Sequence, residues 1–304
     1  MTRISFSLAA LLIASPFVAA AQEDLAGTYE NLQAAEAKKD AAQVKKLAVD
    51  AIKMARQVET GKAPDGYDAE AWKEHQQAAK DIETHGEYAL FATALTADPA
   101  VAVDLFNTLE SLSPKSKYLD EGYAYYFVDL EKTGAAAKIP EVAEKAVANF
   151  PDNDDALMVL MNEASSKNQS DRALTFGNRL IAAVNKHSKP ENVSQADWDR
   201  KKTAELSRAY WITGMIYGER NRYLDADRNL RAALPLIKGN DAMMGPALFY
   251  LGVANYNLSK MTNSKAKLVE AANFSQQSAA IKWAHADQAY RNWGQMKAEA
   301  DRMR

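Results

Sequence analysis

The 304-residue sequence contains no cysteine, and its acidic and basic residues nearly balance. Without cysteine the chain can form no disulfide, no zinc site with thiolate ligands and no lipid-modified cysteine anchor. Lys and Arg number 37 against 40 Asp and Glu, for a formal net charge of −3. Nucleic-acid binding needs a basic face that displaces counterions from phosphates. We therefore expect no nucleic-acid partner.

The sequence also lacks the short motifs that mark catalytic and metal sites. It has four histidines, and the two on one predicted helix, His75 and His85, are ten residues apart, about 80° off a common face. We find no His-Glu-x-x-His, no Gly-x-Ser-x-Gly, no phosphate loop and no Gly-rich dinucleotide turn. The acidic stretch 151–155 lacks the glycine and distal glutamate of a calcium loop, and a helix junction with Asp caps is preferred. We expect no catalysis, no cofactor and no metal.

The N-terminal residues carry a targeting pattern. Arg3 precedes an apolar run over residues 8–13, and small residues at 19–21 precede a polar stretch. This order predicts a cleavable signal peptide over residues 1–21 and a mature chain that begins at Gln22. An uncleaved membrane anchor is disfavoured because Pro16 interrupts the run. No later apolar run approaches the roughly 18 to 20 residues that span a bilayer. We expect a periplasmic or secreted protein, from a Gram-negative bacterium.

One helix-turn-helix sequence pattern occurs twice between residues 207 and 278. Gly214 of the first copy corresponds to Gly252 of the second, 38 residues later. The second helices of the two copies also match at three positions. Ala226, Leu230 and Ala233 of the first copy correspond to Ser264, Leu268 and Ala271 of the second. A glycine leaves room where two antiparallel helices cross closely, so Gly214 and Gly252 predict two close crossings. A two-helix unit cannot bury its apolar face alone, so such copies must stack.

This pattern resembles the tetratricopeptide repeat, whose 34-residue unit carries small and aromatic residues at set helix contacts. The resemblance implies an all-α α-solenoid, a right-handed superhelix of about five to six antiparallel helix pairs. Weaker copies precede the best ones, two of them at residues 120–153 and 154–187. We expect one continuous array with the following parts: signal peptide 1–21, weak N-terminal helix pair 22–58, loop 59–68, repeats 69–187, loop insertion 188–193, best-matching repeats 194–278, and capping helix 279–304.

The register of the resembled family also indicates which residues of each first helix face the concave groove. By that register the residues that line the groove are Asp155, Met158, Asn162, Ser165, Ser166, Arg208, Trp211, Met215, Glu219, Phe249, Val253, Tyr256 and Asn257. Trp211 and Phe249 are expected as an exposed aromatic pair, and the alternative places Trp211 in the core between repeats.

The resulting functional hypothesis is a non-catalytic envelope scaffold that binds a peptide or helix of a protein partner in this groove. The alternative is a carbohydrate- or peptidoglycan-binding protein that uses the groove aromatics Trp211, Phe249 and Tyr256.

Overall fold

A computed structural model describes residues 16–64, 67–191 and 193–303. In these ranges the chain forms thirteen α-helices, one 3₁₀ turn at Ala136–Lys138 and no strand. The helices are α1 (Pro16–Lys38), α2 (Ala41–Thr60), α3 (Ala69–Ala94), α4 (Pro99–Leu112), α5 (Lys117–Lys132), α6 (Ile139–Asn149), α7 (Asp154–Ser166), α8 (Ser170–Lys186), α9 (Gln195–Glu219), α10 (Tyr223–Ala233), α11 (Asp241–Thr262), α12 (Lys265–Ala279) and α13 (Ala286–Arg302). The all-α prediction is confirmed, and helices that follow one another pack in pairs, as in an α-solenoid.

Contacts divide the chain into a first unit that ends at Ala137 and a second unit, Lys138–Arg304. The boundary falls inside the repeat predicted at 120–153, where the sequence suggested an uninterrupted array. Gly134, with φ of 74°, and the 3₁₀ turn lie at this point and separate α5 from α6. Most of the predicted signal peptide, residues 1–15, lies outside the described residues.

The first unit contains α1 to α5, arranged in two layers. Each helix packs against the next, and α3 also contacts both α1 and α5, while α2 contacts α4. Small residues allow these close approaches. A Cβ on Gly86 of α3 would lie 2.8 Å from Cγ1 of Ile52 in α2. The helices α2 and α3 therefore cross closely at Gly86.

The second unit repeats this arrangement with three helix pairs, α7–α8, α9–α10 and α11–α12, between α6 and the terminal α13. The first helices of successive pairs contact one another, because α9 contacts both α7 and α11. The terminal α13 in turn contacts α11. Among the described residues, no comparable contact joins α8, α10 and α12 to one another. The first helices therefore form the more closely spaced layer of this unit.

Five turns that follow α1, α5, α7, α9 and α11 share one backbone conformation. Each contains a single residue with positive φ, between 48° and 74°, and these residues are Lys39, Gly134, Asn168, Asn221 and Asn263. In each turn the next amide donates to the carbonyl five residues earlier, at 2.8 to 3.1 Å. Glycine and asparagine suit this left-handed helix cap. Gly134 and Asn168 are 34 positions apart, the length of the predicted unit.

Side chains cap the starts of several helices. Asp68 Oδ1 accepts from the amides of Glu70 and Ala71 at 3.0 Å, and Ser194 Oγ accepts from Asp197 N at 3.1 Å. In the acidic junction 151–155 the expectation of an Asp cap is wrong, because Asn153 Oδ1 caps α7 and accepts from Ala156 N at 2.9 Å. None of the helices in the described ranges combines the length and apolarity needed to cross a membrane.

Candidate binding surface

The predicted groove residues lie on α7, α9 and α11, the neighbouring first helices of the second unit. On α9 they recur at intervals of three or four residues, which puts Arg208, Trp211, Met215 and Glu219 on one stripe of the helix. We call the predicted residues together the first-helix face: Met158, Asn162, Arg208, Trp211, Met215, Glu219, Phe249, Val253, Tyr256 and Asn257. Arg208 and Glu219 are exposed, and the other eight are half-buried.

Hydrogen bonds from three of these residues connect successive first helices. Arg208 Nε donates to Asn162 Oδ1 at 3.0 Å and joins α9 to α7. Trp211 Nε1 donates to the Met243 carbonyl at 2.9 Å and joins α9 to α11. The Tyr256 hydroxyl lies 3.2 Å from a Glu299 carboxylate oxygen and joins α11 to α13. The face is therefore held in a fixed arrangement by its own side chains.

The environment of Trp211 combines the two alternatives raised by the sequence. Its ring is half-buried against the cluster that contains Leu230 and Leu251, and its indole nitrogen is hydrogen-bonded. On the other side the Arg208 guanidinium carbon lies 5.8 Å from the ring centroid. The expectation of a freely exposed ring is wrong, because α11 approaches α9 closely enough to cover one edge of the indole.

Phe249 is likewise half-buried, in an aromatic cluster that the sequence did not predict. Its ring centroid lies 5.6 Å from that of Trp283 and 6.4 Å from that of His285. Trp283 was expected in the capping helix 279–304, but α13 begins only at Ala286. Trp283 therefore precedes the helix and packs across α11, where a Cβ on Gly245 would lie 2.8 Å from its ring.

A cluster of charged residues lies where α7 begins. Lys201 Nζ of α9 is 3.3 Å from Asp154 Oδ1 and 2.9 Å from Asp155 Oδ1, and it also donates to Glu205 Oε1. His187 Nδ1 lies 3.5 Å from Asp154 Oδ2. Asp155 was predicted to line the groove, whereas the sequence predicted no role for Lys201 or Glu205. These residues are about 46 positions apart, so only the packing of α7 against α9 brings them together.

The three carboxylates have the mutual spacing of a metal site, but Lys201 is shared among them. Their ligand atoms lie within 4.8 Å of one another. An ammonium group that already contacts all three neutralises part of their charge, and a metal ion would have to displace it. The cluster is thus an ionic connection between α7 and α9.

One lysine cannot neutralise three carboxylates, and pKa values in the cluster shift accordingly. Burial and the negative charge of Asp154 raise the pKa of Glu205 to about 7. Burial alone would lower the pKa of Lys201, but the neighbouring carboxylates outweigh it and raise that pKa. The Glu205 side chain is only 8% exposed, so its charge is poorly screened.

The raised pKa of Glu205 gives the second unit a defined pH dependence. Its usual pKa is 4.5, so between about pH 4.5 and 7 the folded state holds a proton that the unfolded chain has released. The contribution of Glu205 to the free energy of unfolding therefore decreases as pH rises through this range. Above pH 7 the Glu205 carboxylate is charged in both the folded and the unfolded protein, and burial of this charge then lowers the free energy of unfolding by its full amount.

No protein-family model matches this sequence, and no curated protein matches it either.

Proposed function

We propose that this protein is a non-catalytic scaffold of the bacterial cell envelope, built from tetratricopeptide-type repeats, whose first-helix face binds an extended peptide or helix of a protein partner. The supporting observation is the composition of that face. Met158, Met215 and Val253, one from each neighbouring first helix, are half-buried, while Arg208 and Glu219 at either end of the α9 stripe are exposed.

An apolar centre with a charged rim is the usual make-up of a protein interface. Methionine side chains adapt to different partner shapes because they are unbranched and flexible. The hydrogen bonds between first helices fix the backbone of the face before a partner arrives, which reduces the entropy lost on binding. Exposed charges of opposite sign at Arg208 and Glu219 would orient the bound segment. The predicted signal peptide supports an envelope location.

Two matched double variants test this proposal. Met215→Glu with Val253→Glu places two carboxylates on the first-helix face. Leu224→Glu with Val269→Glu places two on α10 and α12, where both residues are exposed. The mature chain, from Gln22, is used to capture proteins from native envelope extract, and far-UV circular dichroism confirms that each variant is folded. We expect the first double variant to lose a protein that the parent and the second variant both retain. Equal retention by the two folded variants would refute the assignment of this face.

The aromatic cluster of Phe249, Trp283 and His285 favours a second candidate function, binding of a carbohydrate such as peptidoglycan. Aromatic faces stack against the C–H faces of sugar rings, and His285 is exposed beside the two half-buried rings. Co-sedimentation with protein-free peptidoglycan tests it. Sedimentation of the parent that His285→Ala reduces would favour the carbohydrate function, whereas a parent that stays in solution and retains a protein partner favours the scaffold.

A further inference from the structure

The first unit contains a cavity of about 590 Å³, widely open to solvent, beside the segment that connects α4 to α5. Its walls come from Arg56 on α2, from α3, and from the connecting residues Ser113 to Ser116 with the start of α5. Small-molecule sites in proteins are commonly clefts of about 300 to 1,000 Å³. None of these lining residues belongs to the first-helix face, whose residues are in the second unit.

Arg56 is held rigidly on one wall of this cavity. Its Nε donates to Glu83 Oε1 at 2.6 Å, Nη1 to the Leu112 carbonyl at 2.7 Å, and Nη2 to Ser113 Oγ at 2.7 Å. A guanidinium has five N–H donors in a planar fork. Two donors are therefore left for a ligand, on a side chain that is still 39% exposed. Its orientation is fixed before any ligand binds.

Two lysines add positive charge to the same cavity. Lys115 and Lys117 both line it and are exposed, and within the described ranges neither makes an ion pair. Lys117 Nζ lies 4.8 Å from the ring centroid of Tyr118, which also lines the cavity. Glu87 is the one carboxylate among the described lining residues, 3.9 Å from Arg56 Nη2. Arg56 is ion-paired with Glu83 and lies near Glu87, so the excess positive charge among the described lining residues comes from Lys115 and Lys117.

We infer that this cavity binds a small polar molecule through an oxyanion, a carboxylate or a phosphate, with Arg56, Lys115 and Lys117 as the charged contacts. Each of the two remaining N–H groups of Arg56, one on Nη1 and one on Nη2, can donate a charge-assisted hydrogen bond to an oxygen of either group. The lysine ammonium groups bind such an anion as point charges. The exposed Thr84 side chain and the half-buried Tyr118 ring also line the cavity beside these charged contacts.

Calorimetric titration of the mature chain tests this inference with three probes. Glucose 6-phosphate carries a phosphate, citrate carries carboxylates, and glucose is the uncharged control. We expect saturable binding of at least one anionic probe and none of glucose, and the two anions show which oxyanion the cavity prefers. In Lys115→Gln with Lys117→Gln the affinity is expected to fall about tenfold or more, because two charge-assisted contacts are removed.

The matched control is Lys53→Gln with Lys62→Gln, which removes the same charge from two exposed lysines of the first unit outside the cavity. This variant is expected to bind like the parent. Absence of binding by both anions up to about 10 mM, or equal weakening in the two double variants, would overturn the inference. Equal binding of glucose and glucose 6-phosphate would also overturn it.

Discussion

Replacement of Gly214 by alanine should destabilise the second unit, although alanine favours helices. A Cβ at this position would lie 2.7 Å from both Cγ and Cδ2 of Leu230 and 3.1 Å from its backbone nitrogen. Carbon atoms in contact are normally about 3.5 to 4.0 Å apart. Leu230 is fully buried, so its side chain has no free space to move into, and the backbone nitrogen is fixed in α10.

The magnitude follows from two opposing effects. Alanine gains about 1 kcal/mol over glycine in a helix interior, and overpacking a tight contact costs about 1 to 3 kcal/mol. We expect Gly214→Ala to lower the free energy of unfolding by about 1 to 2 kcal/mol, because the clash includes backbone. Gly294 of α13, in the same unit, is the control, because a Cβ there meets nothing within 4 Å. Gly294→Ala should therefore stabilise by up to about 1 kcal/mol.

Urea denaturation followed by far-UV circular dichroism measures both variants. A double-mutant cycle with Leu230→Ala adds a second check, because that truncation removes the two clashing side-chain carbons. The double variant should lose less stability than the sum of the two single losses. Should Gly214→Ala prove as stable as Gly294→Ala, the close crossing of α9 and α10 would be refuted.

Four further predictions concern other parts of the chain. Between pH 5 and pH 8 the free energy of unfolding of the parent should fall by up to about 3 kcal/mol more than that of Glu205→Gln. If urea denaturation gives the two proteins parallel pH profiles, a raised pKa of Glu205 is excluded. Trp211→Ala should lower the free energy of unfolding by about 2 to 4 kcal/mol, a larger loss than truncation of an exposed ring would cause. A thermal transition unchanged from the parent would contradict the contacts with α11. Lys39→Gly should raise stability by about 0.5 to 1 kcal/mol because φ at Lys39 is 55°, and a less stable variant would argue against the left-handed turn. Mass spectrometry of exported protein should find Gln22 as the first residue, and an intact Met1 would exclude cleavage.

Much of the fold could be predicted because its signals are local in sequence. Helix caps such as Asp68 and Ser194 depend on residues two or three positions away, and apolar periodicity depends on a single turn. The close crossings at Gly86 and Gly214 could also be anticipated, since a glycine inside a helical pattern implies a nearby neighbour. Helix pairing followed from the repeat, whereas its handedness stays a prediction.

The side-chain environment of the candidate surface could not be predicted to the same degree. Lys201 and Asp155 meet across 46 positions, and Arg56 and Ser113 across 57, so only tertiary packing reveals those contacts. The position of Trp211 on one stripe of α9 could be predicted from the sequence. Its hydrogen bond to the Met243 carbonyl of α11 could not, because it depends on how the two helices pack. Trp283 was misplaced in a helix because its surroundings are helix-favouring, while the chain turns there to reach α13.

Site-specific photo-crosslinking tests the proposed binding face most directly. A photoreactive amino acid replaces Val253 on the first-helix face in one variant and Val269 on α12 in the other, and each is expressed with its signal peptide in the native host. We expect a discrete crosslinked protein from position 253 and none from position 269. The same crosslink from position 269, with none from position 253, would contradict it and assign binding to the second helices.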